Sequence, residues 1–117
     1  MKIYVYAGCS TCKKALKWLK ERGVEPTVIP IVDTPPDAAT LAQIRDAAGV
    51  PTKKLFNVSG QSYRQGGWKE KIGDTSEAEQ LAALAADGKL IKRPLLVTEN
   101  GARVGFKEES WAELLDA

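Results

Sequence analysis

Cys9 and Cys12 are the only cysteines in this 117-residue chain, and only Ser10 and Thr11 separate them. Two thiols at that spacing can pass between dithiol and disulfide, so the chemistry they suggest is thiol-disulfide exchange. No second pair completes a four-thiolate zinc site. Histidine is absent altogether, which excludes His-ligated zinc, Cys-His hydrolases and imidazole acid-base catalysis together. No metal is therefore expected. A small secreted scaffold would carry several dispersed disulfides, whereas one short Cys-x-x-Cys suits a redox pair in a reducing compartment. The plain alternative is two ordinary buried cysteines that happen to lie close.

Exchange requires a thiolate, and a thiolate near neutral pH requires nearby positive charge or free N–H groups. Both are expected here. Lys2-Ile3-Tyr4-Val5-Tyr6 is β-branched and aromatic and is broken by Ala7-Gly8, while Cys12 to Arg22 interleaves Lys13, Lys14, Lys17, Lys20 and Glu21 with Ala15, Leu16 and Leu19. A strand thus runs into a loop and then an amphipathic helix that ends at Gly23, with the cysteines where the helix starts. Unpaired backbone N–H groups there, with Lys13 and Lys14 beside them, would lower a thiol from about 8.5 into a range of roughly 3.5 to 7.5. Cys9 is expected to be the exposed nucleophile and Cys12, already inside the helix, the resolving thiol. Ser10 and Thr11 are small enough to leave access and carry hydroxyls that can bond the thiolate. Lys17 and Lys20 suit a solvated helix face, and Trp18, Trp68 and Trp111 suit packing.

The rest of the chain supplies the scaffold. Thr27 to Val32 reads as a second strand, parallel to the first through a right-handed crossover, with Pro30 disturbing its far end. Thr34-Pro35-Pro36-Asp37 starts a helix over 38–48 that Gly49 stops. Lys53 to Asn57 suggests one turn, Trp68 to Ile72 is ambiguous, and Ser76 with Glu79 forms a capping box for a helix over 76–86. Pro94 to Thr98 and Ala102 to Gly105 form a hairpin around an Asn100-Gly101 turn signal, and Glu108 to Asp116 closes the chain as a helix. This order predicts an α/β, thioredoxin-like fold: a four-stranded mixed sheet with helices on both faces. One domain is expected over 1–117, with the thioredoxin core over about 1–33 and 89–117 and a helical insertion over about 34–88.

Composition narrows the function classes. Apolar residues make up 44% and charged residues 27%, as in soluble globular chains, and no segment has the length of a membrane span or signal-peptide core. A cytoplasmic location is expected. The formal charge of +2, from 17 Lys plus Arg against 15 Asp plus Glu, is too small to suggest direct nucleic-acid binding.

The motifs resemble those of a known family. Cys9-Ser10-Thr11-Cys12-Lys13-Lys14-Ala15 with Trp18-Leu19 and Gly23, then Ile91-Lys92-Arg93-Pro94-Leu95, then Val104-Gly105-Phe106, are similar in order and spacing to the arsenate reductase (ArsC)/Spx/YffB family. Phe56 to Gly60 with Tyr63-Arg64 resembles its Bacillus YusI-like branch. The resemblance covers the whole chain. It implies a thioredoxin core with a helical insertion, a cis proline at Pro94 beside the reactive cysteine, and Arg93 facing the thiol, where a guanidinium can hold a thiolate or oxyanion. The family's arsenate reductases, which partner glutaredoxin, bring two further arginines to the oxyanion. Here Asn57 and Phe106 occupy those positions, so arsenate would lose charge-assisted hydrogen bonds worth about 1.5 to 3 kcal/mol each. Cys12 also departs from those enzymes and instead resembles Spx, whose cysteine pair is a redox switch.

The site residues expected on these grounds are Cys9, Cys12 and Arg93 for catalysis, with Ser10, Thr11, Lys13, Asn57 and Pro94 around the substrate. Three functions follow. The first is a thiol-disulfide reductase that needs no cofactor, with glutathione as co-substrate and glutaredoxin or a protein disulfide as partner. The second, implied by Spx, is a redox regulator binding the RNA polymerase α-subunit, with Gly49 near the contact. The third is arsenate reduction dependent on glutathione and glutaredoxin.

Overall fold

The computed structural model describes all 117 residues, 1–117. Strand β1 (Lys2–Val5) continues through a loop into helix α1 (Ser10–Glu21), which returns the chain to β2 (Thr27–Pro30), parallel to β1. After a long helical excursion the chain re-enters the sheet as β3 (Leu95–Thr98), antiparallel to β1, and turns into β4 (Gly101–Val104). The spatial order is β2-β1-β3-β4.

Side-chain alternation sorts the core into two layers. Ile3 pairs with Leu96, and with Val5 they face Cys12, Ala15 and Leu19 of α1 and Trp111 and Leu114 of the final helix α6 (Glu108–Leu115). Tyr4 pairs with Leu95 and faces the opposite way, onto Leu41 and Ile44 of α2 (Ala38–Ala48) and Leu81 and Leu84 of α5 (Glu77–Ala86). The two-residue period of the strands sends successive residues to the two helical layers. In α1 the buried set Cys12, Ala15 and Leu19 follows the three- and four-residue spacing of a helix face, while Lys13, Lys14, Lys17 and Lys20 are exposed. The same spacing buries Cys12 and leaves the lysines in water.

Several local expectations hold in detail. Asp37 caps α2 by accepting from Thr40 N at 2.8 Å, and Ser76 and Glu79 form the capping box of α5. Trp68 and Trp111 are buried, and Trp18 is half-buried against Trp111 and Phe106. β2 stops at Pro30, two residues earlier than expected: β2 is an edge strand, where a proline is tolerated, and the chain turns immediately beyond. The hairpin also differs. Thr98 pairs with Gly101, so the two-residue turn is Glu99-Asn100, and Gly101 opens β4 instead of sitting in the turn. Neither turn residue has positive φ; Gly101 takes it up instead, at φ 147°, a conformation other residues rarely adopt.

Trp68 to Ile72 is helical over α4 (Trp68–Lys71), and the turn near Lys53 is a 3-10 turn over Thr52–Leu55. A short helix not expected from the sequence, α3 (Gln61–Gln65), lies between Gly60 and Gly66-Gly67. With Tyr63 its only large apolar residue, so short a stretch carries no periodic signal.

Candidate active site

Cys9 is the N-cap of α1. Its backbone is extended, with φ −94° and ψ 114°, its N–H donates to Tyr6 O at 3.0 Å, and its Sγ accepts from Cys12 N at 3.3 Å. The sulfur therefore stands where a serine or aspartate oxygen caps most helices, and it receives an N–H that the first turn leaves without a helical partner. Cys9 is half-buried, whereas Cys12 is 1% exposed and packed among Ile3, Val5 and Leu19. No disulfide joins the two sulfurs.

The two sulfurs are driven apart in acidity. Partial burial acts to raise the Cys9 pKa, but the Cys12 thiol, the Cys12 N–H, the Arg93 charge and the Thr11 N–H together outweigh it and hold Cys9 below its ordinary value of 9.0. Burial, then the hydrogen bond to Cys9 and the Cys9 charge, push Cys12 up to about 12. The pair titrates as a unit whose first proton leaves from Cys9. One half-buried, acidified thiol at the cleft beside one buried, protonated thiol is the division of labour that exchange requires.

Arg93 reaches this place through the insertion. Phe56 bridges Ile91, with Lys92 N donating to Leu55 O at 2.7 Å and Asn57 N donating to Leu90 O at 2.8 Å. This short ladder sets Asn57 beside Arg93 just before the cis Arg93–Pro94 peptide. Pro94 is buried, and its carbonyl accepts from Gly105 N at 2.9 Å. Gly105 has φ 78°, where a Cβ would also press on Lys92 Cε. The Arg93 guanidinium is itself fixed: Nη1 donates to Lys89 O at 3.1 Å and Ile91 O at 3.4 Å, and Cζ lies 4.7 Å from the Tyr6 ring centre.

An open cleft of about 700 Å³ joins these parts, with Cys9, Ser10, Thr11, Asn57, Arg93 and Phe106 along it. Of the residues expected at the site, Cys12 and Pro94 lie buried behind this cleft and Lys13 lies outside it, and neither Lys13 nor Lys14 contributes to the lowered Cys9 pKa; Arg93 supplies that charge. Lys92 and Lys107 line the cleft instead. Phe106 sits edge-on to Trp18 and Trp111, with ring centres 5.8 and 4.8 Å away, and the Trp111 indole N–H donates to Gly105 O at 2.9 Å. An aromatic cluster thus occupies the place where the resemblance sets an arginine.

Tyr6 is the residue that sequence reasoning missed. The strand period would have found it, because Tyr6 continues the face of Tyr4 at the end of β1 and so points to the Arg93 side. A guanidinium over an aromatic face is held by roughly 0.5 to 2 kcal/mol, which the hydroxyl does not supply. Tyr6→Leu is therefore expected to release Arg93 and move the pH midpoint of Cys9 alkylation upward, while Tyr6→Phe keeps the wild-type midpoint. An equal shift in both variants would assign the effect to the hydroxyl.

Comparison with known proteins shows the family. The ArsC family model matches residues 4–114. The chain is 46% identical to the uncharacterized protein YusI of Bacillus subtilis over 94% of its length and 93% of that protein. It is 30% identical to an arsenate reductase of Rhizobium meliloti, covering 97% of this chain and 79% of the relative. Among solved structures, an ArsC family related protein from Bacteroides fragilis superposes with a TM-score of 0.93 at 45% identity, covering 97% of this chain and 95% of that one. The mixed four-stranded sheet with its helices is thus the thioredoxin-like fold of these relatives, and the chain belongs to the ArsC family.

Proposed function

We propose that the protein is a thiol-disulfide oxidoreductase in which Cys9 attacks and Cys12 resolves. The observation that carries this reading is the asymmetry of the pair: Cys9 lines the cleft and is acidified, and Cys12 is buried, held protonated and hydrogen-bonded to it. The Cys9 thiolate attacks one sulfur of a substrate disulfide, and the other sulfur leaves as a thiolate. Cys12 then loses its proton to that leaving thiolate or to water and attacks the Cys9 sulfur, expelling the second substrate sulfur. Two electrons pass from the pair to the substrate, and the protein is left as the Cys9–Cys12 disulfide. A dithiol, or glutathione with glutaredoxin, would return it to the reduced state. No step calls for a cofactor.

Family membership and relatives named arsenate reductases support thiol-dependent reduction at this level of description. Arsenate itself is less well served. Arg93 is the arginine in the Cys9 cleft, Arg64 is turned to Ser59 O at 2.9 Å, and Phe106 is locked among tryptophans. Nor does Gly49 favour a polymerase contact, because it closes α2 with its N–H on Arg45 O and Asp46 O, a structural role sufficient in itself.

The test is to trap the intermediate. Cys12→Ser incubated with a disulfide is expected to accumulate a mixed disulfide at Cys9, seen as a mass increase, while multiple turnover falls to background. Full turnover by Cys12→Ser would show that Cys12 takes no part, and no adduct at all would remove the proposal.

A further inference from the structure

The Cys9 cleft has a neighbour on the far side of Arg93. A second cavity of about 270 Å³ shares Asn57 and Arg93 with it and runs on to α3, where Gln61 and Gln65 line it. Charge lining the two cavities is of one sign. Lys107 and Lys92 stand on the Cys9 side, Arg93 at the junction and Lys89 beyond it, and no carboxylate lines either part. The chain as a whole carries 15 Asp plus Glu and a net charge of only +2, so this one-sided lining is local.

We propose that the two cavities form one groove that holds an extended acidic polypeptide, with its disulfide cysteine at Cys9 and flanking residues along Asn57, Gln61 and Gln65. The substrate class is then a protein disulfide in an acidic segment. For what happens at the sulfur this rests on the exchange reading above; for binding it does not.

Two features favour a polypeptide over a small thiol. Each side-chain amide offers a carbonyl acceptor and N–H donors, the same groups that each peptide unit presents in return. Three amides therefore suit an extended backbone. Tyr6 is the single hydrophobic residue in the second cavity, so recognition there depends on hydrogen bonds and charge and not on an apolar anchor. A small disulfide would fill the part around Cys9 and leave the second cavity unused. The four cations spaced along both parts would steer an acidic chain into register, an attraction that salt screens.

The experiment measures binding apart from chemistry. Fluorescein-labelled ten-residue peptides without cysteine, one rich in Asp and Glu and one with Lys and Arg in their place, are titrated with the Cys9→Ser protein and followed by anisotropy. The acidic peptide is expected to bind at least about 10-fold more tightly at low salt and to lose most of that advantage at high salt. Lys89→Glu and the double variant Gln61→Ala/Gln65→Ala should each weaken it several-fold; Lys89→Glu leaves the backbone carbonyl that Arg93 uses in place. Equal binding of the two peptides, or acidic binding indifferent to both variants, would overturn the groove. A retained acidic preference in a protein that reduces no disulfide would support the groove while removing the exchange reading. Uniform binding with retained turnover would do the reverse.

Discussion

Replacing Cys9 by serine is expected to abolish disulfide reduction, with the rate falling by at least about 10³-fold to background. The size follows from chemistry. An alcohol at neutral pH supplies almost no anion and does not displace sulfur from a disulfide, so nothing else in the cleft substitutes for the Cys9 sulfur. Loss of fold would not account for the result, because serine is among the best N-cap residues and its oxygen can accept the Cys12 N–H that Sγ accepts at 3.3 Å. Thermal unfolding of Cys9→Ser should therefore match the wild type within a few degrees. A variant that is folded and still turns over disulfides would place the chemistry elsewhere.

Truncating Trp111 to alanine is expected to destabilise the protein by about 3 to 5 kcal/mol, read as a lowered urea midpoint. Trp111 is fully buried, lies edge-on to Trp18 and Phe106, and donates its indole N–H to Gly105 O at 2.9 Å. Alanine leaves a cavity, removes the aromatic contacts and deprives that carbonyl of its donor. Against a usual total of about 5 to 15 kcal/mol, this is about a fifth or more of the stability. The effect should also reach the site, since Phe106 and Gly105 line the Cys9 cleft and lose the ring that holds them. Trp111→Phe keeps most of the packing and loses the hydrogen bond, so its deficit should be about 1 to 2 kcal/mol. A loss for Trp111→Ala below about 1 kcal/mol would mean that the cluster tolerates the gap and does not support the cleft wall.

Features set by neighbouring residues were legible in the chain itself. The spacing of Cys12, Ala15 and Leu19 announced the buried face of α1, and Ser76 with Glu79 announced the start of α5. The cysteines could be placed at a helix start because a β-rich run broken at Ala7-Gly8 precedes an amphipathic one. Contacts between distant segments were not legible. The bridge of Phe56 to Ile91, which carries Asn57 to Arg93, joins residues far apart in sequence and leaves no local pattern. For the same reason the local pattern set the positive charge at Cys9 on Lys13 and Lys14, and only the family resemblance brought Arg93 to the thiol. Lys13 and Lys14 are neighbours in the chain but point to solvent, whereas Arg93 arrives from the other end of the protein and is fixed by Tyr6 and two carbonyls.

The unequal acidity of the two thiols also bears on stability. Cys12 has its folded pKa raised to about 12 from an ordinary 9.0, so its contribution is full below 9.0 and is lost as pH climbs towards 12. Cys9, with its folded pKa lowered, contributes above its ordinary value and loses that contribution as pH falls through the folded one. Stability should thus decline on the alkaline side through Cys12.

The pH profile of thiol alkylation in the reduced protein, with each adduct located by mass spectrometry, tests the account most directly. One thiol, Cys9, should react with a midpoint below 9.0, and Cys12 should stay unmodified until the solution approaches pH 12 or the fold is lost. Two cysteines reacting in parallel with an ordinary thiol midpoint, or Cys12 reacting first, would contradict it.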